Sequence, residues 1–228
     1  MANRKQGEIQ ITLYSDLCPG NGYSYYGTID AEAEHDRFGL PFIPARRIKG
    51  CLREGGELLK NSGLWGTEEK AQKVLEELFG VRADEGTKGI RIENAYLSGY
   101  HQLKGELELL QKDEIFQKYL SPNQVLDLFS DVKAQTRMEH GVAEDNSLRF
   151  TRIIRQFSPF DQSKRLQFTA KVQYFSNQED QIEQLCKALR HMGMHRNRGL
   201  GFVKCELVKE RGTENIKQPL ESFQKKET

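Results

Sequence analysis

A chain of 228 residues has room for one large folding unit or two small ones, which excludes repeat arrays and multidomain machines. With 37% hydrophobic and 29% charged residues it can build a core inside a heavily ionised surface, and 34 Lys+Arg against 33 Asp+Glu leave overall charge silent about a polyanionic partner. Apolar runs fall far short of the ~20 residues that span a bilayer, and the opening MANRKQ develops no apolar centre, so the expectation is a cytoplasmic chain with no membrane partner.

Residues 8–14 alternate Ile9, Ile11 and Leu13 with Glu8, Gln10 and Thr12, the period of a half-buried strand. The stretch 15–43 that follows, carrying Pro19, Gly20, Gly22, Gly27 and Gly39, far exceeds the usual ~4–6 residues of a connection and is therefore functional or disordered. Pro44 presets φ for a helix start and predicts a helix over 45–60, with Ile48, Leu52 and Leu59 on one arc and Arg46, Lys49 and Arg53 on its neighbour. Thr67 is placed to cap a second helix ending near Phe79, with Glu68 and Glu69 at its positive end. A strand is expected over 90–97. Helical structure is expected over 103–130 with a break at Ser121-Pro122, and periodicity is lost through 141–146.

Two β-rich runs, 147–157 and 165–175, predict an antiparallel hairpin. In the second, Leu166, Phe168, Ala170, Val172 and Tyr174 share a face, whereas the first breaks phase near Thr151-Arg152, as a bulge would make it. A last helix over 178–192 places Ile182, Leu185, Cys186 and Leu189 together, and a glycine-rich loop leads to a strand over 202–208. The resulting order β-α-β-β-α-β predicts an α+β fold, a ferredoxin-like or RNA-recognition-like antiparallel sheet with helices on one face. It would form one domain over 1–210, with insertions at about 61–88 and 101–146 and a flexible polar tail over 211–228. Cys18, Cys51, Cys186 and Cys205 stand far apart with no C-x-x-C pair, the pattern of packed reduced thiols rather than a disulfide framework or a zinc site.

Positive charge is concentrated locally. On the first predicted helix Arg46, Arg47, Lys49, Arg53 and Lys60 outnumber Glu54 and Glu57, and the first three sit beside the open N–H groups of its start, as a phosphate seat or as a solvated basic face. Arg190, His191, His195, Arg196 and Arg198 surround Gly193, Gly199 and Gly201 in MGMHRNRGLGF. Such glycines either let backbone amides approach a phosphodiester or cap a helix and open a strand. A third group, Arg149, Arg152, Arg155, Lys164 and Arg165, falls on the predicted hairpin. Charge segregated on a neutral chain suits nucleic acid on one surface and proteins on the others.

The segment GTIDAEAEHDRFGLPFIPARRIKGCLR, residues 27–53, resembles the signature of the RAMP superfamily (repeat-associated mysterious proteins), the RNA-binding subunits of CRISPR effector complexes. That signature is a G-x-x-D stretch followed by P-x-I-P-G-S-S-L-K-G-x-x-R. The acid, both prolines, the Lys-Gly pair and the final Arg keep their spacing, while Ala45-Arg46-Arg47 replaces the usual Gly-Ser-Ser. Residues 134–150, AQTRMEHGVAEDNSLRF, are similar to the thumb-like insertion that wedges into the guide–target duplex, and 193–202 to the loop packed beside the guide backbone. Type III backbone subunits resemble the chain most, and the Ala-Arg-Arg form and the 15–20 opening also look like type III-D members.

The resemblance implies a crRNA-binding subunit that assembles with other CRISPR effector subunits. It implies contacts to crRNA and target RNA through Arg46, Arg47, Lys49, Arg53, Arg137, Arg196, Arg198 and Gly199. By position, Asp30 would be the catalytic and metal-binding residue that cuts target RNA, with Mg2+ or another divalent cation. His35 and Asp36 lie close enough in sequence to assist or to be solvated loop residues. Two other readings stay open: a non-catalytic RAMP subunit that caps or scaffolds the guide RNA, and a metal-independent guide-processing endoribonuclease using His191 or His195 as general base.

Overall fold

A computed structural model describes residues 4–20, 29–80 and 89–209. Gly22, the Gly27-Thr28 start of the signature, the 81–88 end of the first insertion and the 211–228 tail lie outside the described residues. In chain order the elements are β1 (Arg4–Leu13), β2 (Phe42–Ile43), α1 (Ala45–Asn61), α2 (Glu68–Phe79), β3 (Arg91–Ile92) and β4 (Ala95–Leu97). There follow α3 (Tyr100–Leu110), α4 (Glu114–Tyr119), α5 (Pro122–Phe129), β5 (Ser130–Gln135), β6 (Met138–Glu139), β7 (Val142–Ala143) and β8 (Arg149–Ile154). The chain closes with β9 (Gln167–Phe175), α6 (Glu179–Ala188) and β10 (Val203–Lys209).

The main sheet runs β10-β1-β9-β4-β2, with β3 also on β9, and every pairing is antiparallel. This is the ferredoxin-like order, with β3 and β4 as two halves of one core strand. The alternation in β1 and β9 has its expected result: Ile9, Ile11 and Leu13 join Phe168, Ala170, Val172 and Tyr174 in one core with Ile48 and Leu52 of α1 and Ile182 and Leu185 of α6. Each large side chain so buried contributes about 1.5–3 kcal/mol. Gly56 lets the helices close up, since a Cβ there would meet Leu75 Cδ2 at 2.6 Å and Leu185 Cδ2 at 3.2 Å.

The expected 90–97 strand is interrupted at Asn94, whose side chain leaves the ladder and accepts the Ala45 N–H at 2.9 Å. The 103–130 stretch starts at Tyr100 and breaks twice. Ser121 and Gln124 form a capping box at α5, and Asp113 caps α4 by accepting the Ile115 N–H at 2.8 Å. Within the predicted thumb-like region, β6 and β7 form a small hairpin that turns through His140 and Gly141, both at positive φ.

The predicted 147–157/165–175 hairpin is not formed. A single bridge, Phe157 to Arg165, links those runs, and β8 instead pairs with β5 from Ser130↔Ile154 to Gln135↔Arg149 in a separate ribbon. Nor is the phase break a bulge. Ile153 packs with Cys18 and Leu200 in a small second cluster while its neighbour Ile154 enters the main core, so consecutive residues are buried on opposite sides. All four cysteines are buried free thiols, and burial pushes those of Cys18 and Cys51 upward. Among the described residues no helix is long and apolar enough to cross a membrane.

Candidate nucleic-acid interface

The first helix and the late glycine loop meet across residues 15–20. Arg196 pairs with Glu54 of α1 at 2.7 Å. The Met194 N–H donates to the Cys18 carbonyl at 2.8 Å, the Gly201 N–H to the Asp16 carbonyl at 2.8 Å, and the Arg47 guanidinium to the Gly20 carbonyl. Two glycines make this approach possible. Gly193 and Gly201 take positive φ, and a Cβ on either would collide with the Cys18 or Met192 carbonyl. Gly199 also has positive φ, yet nothing lies within 4 Å of where its Cβ would be. The first two are structural, and Gly199 is an open position on the loop surface.

Asp30 is stitched to β8. Its N–H donates to the Phe150 carbonyl at 2.8 Å, its Oδ2 accepts the Phe150 N–H at 2.7 Å, and next to it the Ala31 carbonyl accepts the Arg152 N–H at 2.9 Å. Asp30 Oδ1 has no partner among the described residues, and Asp30 lines an open cleft of about 640 Å³. The cleft is lined by Asp30, Arg137 and Arg149 together with Met194, His195 and Arg198 of the late loop. A second depression of about 760 Å³ over the late loop shares Met194, His195 and Arg198 with it, so a single groove runs past Asp30 to the small hairpin. Arg198 ties its two banks together by donating to Gln135 Oε1 of β5 at 3.2 Å.

The cations named from sequence divide into free and engaged. Lys49, Arg53 and Arg149 have no side-chain partner among the described residues. Arg46 pairs with Glu34 at 3.3 Å and Arg137 with Glu144 at 3.2 Å, and both arginines are exposed. The phosphate seat expected at the start of α1 is partly filled: Asn94 takes the Ala45 N–H, and the Pro44 carbonyl accepts from Arg47 and Ile48. The third basic group largely dissolves. Arg155 makes two 3.1 Å bonds to Asp131; Arg165 lies over Tyr14 and Phe157 and donates to the Leu13 carbonyl and Gln156; Arg152 is buried in acids. Sequence reasoning missed Gln135 and Met194 as parts of the groove, Asp16 as an anchor of the late loop, and Glu32 behind the groove. No local pattern marks them, because each meets its partners only through the tertiary fold.

His191 is packed against Phe202, ring centres 5.4 Å apart, whereas His195 stands in the groove with its backbone at φ 57°. Asp36 is a structural turn residue: it accepts the N–H groups of Phe38 and Leu40 and the Tyr100 hydroxyl, which contributes, after burial, to pushing that phenol up to about 12. Among the described residues no group of three or more His, Cys, Asp or Glu is placed to hold a metal ion. Among the described residues Asp30 offers one oxygen without a partner, which could serve as one ligand of a divalent ion.

A ferredoxin-like sheet from which a glycine loop and a projecting hairpin frame one groove, lined by Arg137, Arg149 and Arg198 against Asp30, Glu144 and Asp145, defines an RNA-recognition-like class of fold. The RAMP superfamily model matches residues 11–204, and the chain belongs to that superfamily. The fold is shared with a chain of type III-B Cmr-beta bound to cognate target RNA, solved by cryo-EM (TM-score 0.57, 13% identity, 91% of this chain and 98% of that one). It is shared too with a chain of type III-B Cmr-beta in the apo state (TM-score 0.59, 15% identity, 90% and 98%). No curated protein matches the chain.

Proposed function

We propose that the chain is a crRNA-binding subunit of a type III-like CRISPR effector in the cytoplasm, and that it cuts guide-paired target RNA at Asp30. Superfamily membership supports the RNA-binding part, and the Cmr-beta relative solved on its target RNA supports the effector part. The observation that carries the reading is the convergence of Asp30, Arg137, Arg149, His195 and Arg198, from three distant parts of the chain, on one cleft. Lys49 and Arg53 extend the basic surface along α1. The protein would grip phosphates and riboses and leave sequence to base pairing, so affinity falls steeply with salt.

The cut is an in-line attack of a ribose 2′-hydroxyl on the adjacent phosphorus. The O2′–P bond forms, the P–O5′ bond breaks, and the products end in a 2′,3′-cyclic phosphate and a 5′-hydroxyl. Asp30 Oδ1 takes the 2′-hydroxyl proton, solvent returns one to the leaving oxygen, and Arg149 and Arg198 offset charge growing on the phosphoryl oxygens. A divalent cation such as Mg2+ held at Asp30 would supply charge neutralisation at the scissile phosphate.

A second reading is favoured by one bond: the Phe150 N–H held by Asp30 Oδ2 is the kind of anchor a non-catalytic, guide-scaffolding subunit would also need. Asp30→Asn separates the two, because it keeps an acceptor for Phe150 and removes the charge. In the assembled complex, cutting should vanish while target binding persists. Retained cutting rejects Asp30 as the catalytic group, and lost binding makes it structural. An EDTA arm reports whether RNA-held cations take part. Precursor-guide cleavage that survives EDTA and disappears in His195→Ala would point to the processing enzyme instead.

A further inference from the structure

We propose that Arg152 is a positioning residue that holds the Asp30 segment in register on the root of the projecting hairpin, so that the site of cutting is set by one rigid unit. The inference rests on the reading of Asp30 as the cutting group. Register needs such a device here. Residues 29–31 are not a strand; they meet β8 through a lone parallel bridge, Ala31 to Thr151, and a few backbone bonds. A slip of one residue would break both Asp30–Phe150 bonds and carry Asp30 away from its place in the cleft lining.

Arg152 opposes that slip from behind. Its side chain and that of Glu32 are each only 11% exposed, and Arg152 Nε lies 2.7 Å from Glu32 Oε1, a close ion pair without hydrogen-bond alignment. Arg152 Nη1 reaches Asp127 of α5 and donates to Ser130 Oγ at 3.0 Å, and Ser130 in turn donates to the Leu126 carbonyl at 2.8 Å. One guanidinium thus joins the Asp30 segment, the end of α5 and the start of β5. With two carboxylates around one cation the spot repels phosphate, so Arg152 is no RNA ligand despite its place between Arg149 and Arg155. Fixing register is the best-attested use of a buried ion pair.

The test maps cleavage ends at nucleotide resolution in the assembled complex for wild type, Asp30→Asn, Glu32→Gln and Arg152→Lys. Glu32→Gln should bind target within about 2-fold of wild type, yet cut about 10- to 100-fold more slowly, as a misplaced catalytic group does. Its ends should spread to neighbouring phosphodiesters. Arg152→Lys should lie between, since lysine restores charge but not the planar fork. Loss of complex in Arg152→Lys leaves Glu32→Gln, with a neutral acceptor of the same size, to decide. Unspread ends in Glu32→Gln, at whatever rate, overturn the inference and leave the Asp30 reading standing if Asp30→Asn is inactive. Cutting by Asp30→Asn overturns that reading itself.

Discussion

Arg149 and Arg152 stand three residues apart on one short strand and have opposite fates. Arg149 lines the cleft with no side-chain partner among the described residues, while Arg152 is enclosed by Glu32, Asp127 and Ser130. Arg155, just beyond, is spent on Asp131. The basic residues of α1 show the contrast more mildly, with Lys49 and Arg53 without side-chain partners among the described residues and the exposed Arg46 paired to Glu34. Basic residues counted along a sequence therefore overstate the surface that can meet phosphate. What decides is whether the fold delivers an acid to each one, and those acids come from remote segments.

The largest expected effect breaks that comparison most directly. Arg152→Met leaves the Glu32 carboxylate, 11% exposed, beside an apolar side chain, while Asp127, 60% exposed, keeps its water, and should cost about 3 kcal/mol in chemical denaturation. Arg149→Ala should stay within about 0.5 kcal/mol of wild type. In return it should weaken RNA binding and flatten the salt dependence by about 0.7 in log–log slope, the share of one phosphate contact on a single strand. Equal stability losses would show that the two arginines are not different in kind.

The glycines of the late loop sharpen the same division. Gly201→Ala puts a methyl group into the Met192 carbonyl at a positive φ, so the turn joining the loop to Asp16 must move; the expected loss exceeds about 2 kcal/mol by thermal or chemical melting. Gly199→Ala has the same φ problem without a collision and should cost about 1 kcal/mol. If the two lose equal stability, the close approach at Gly201 is not what fixes the loop.

The parts legible in sequence are those governed by local periodicity or by a cap. The 45–60 expectation became Ala45–Asn61 because Pro44 opens that helix and Ile48 and Leu52 enter the core, and the alternation in 165–175 became β9 for the same kind of reason. The predicted 147–175 hairpin failed because the true partner of β8 is β5, whose residues 131–135 are exposed or only half-buried and read as nothing in particular. Asp30 was legible through family spacing alone. Its bond to Phe150 and the Glu32–Arg152 pair behind it join residues far apart in the chain, which no pattern in either segment announces.

The smallest expected effect concerns Glu54. Its pair with Arg196 lies at the surface, the side chains 59% and 41% exposed, and such pairs contribute about 0–1 kcal/mol. Glu54→Gln should hardly shift the melting temperature, because Gly193, Gly201 and the Met194 N–H keep the loop seated on residues 16–18 without it. RNA affinity should rise, since Arg196 is released to phosphate, with a steeper salt dependence in titrations at several ionic strengths. A fall in affinity would mean that Glu54 aims Arg196 rather than competing for it, so that pairing with an acid would not by itself remove an arginine from RNA binding.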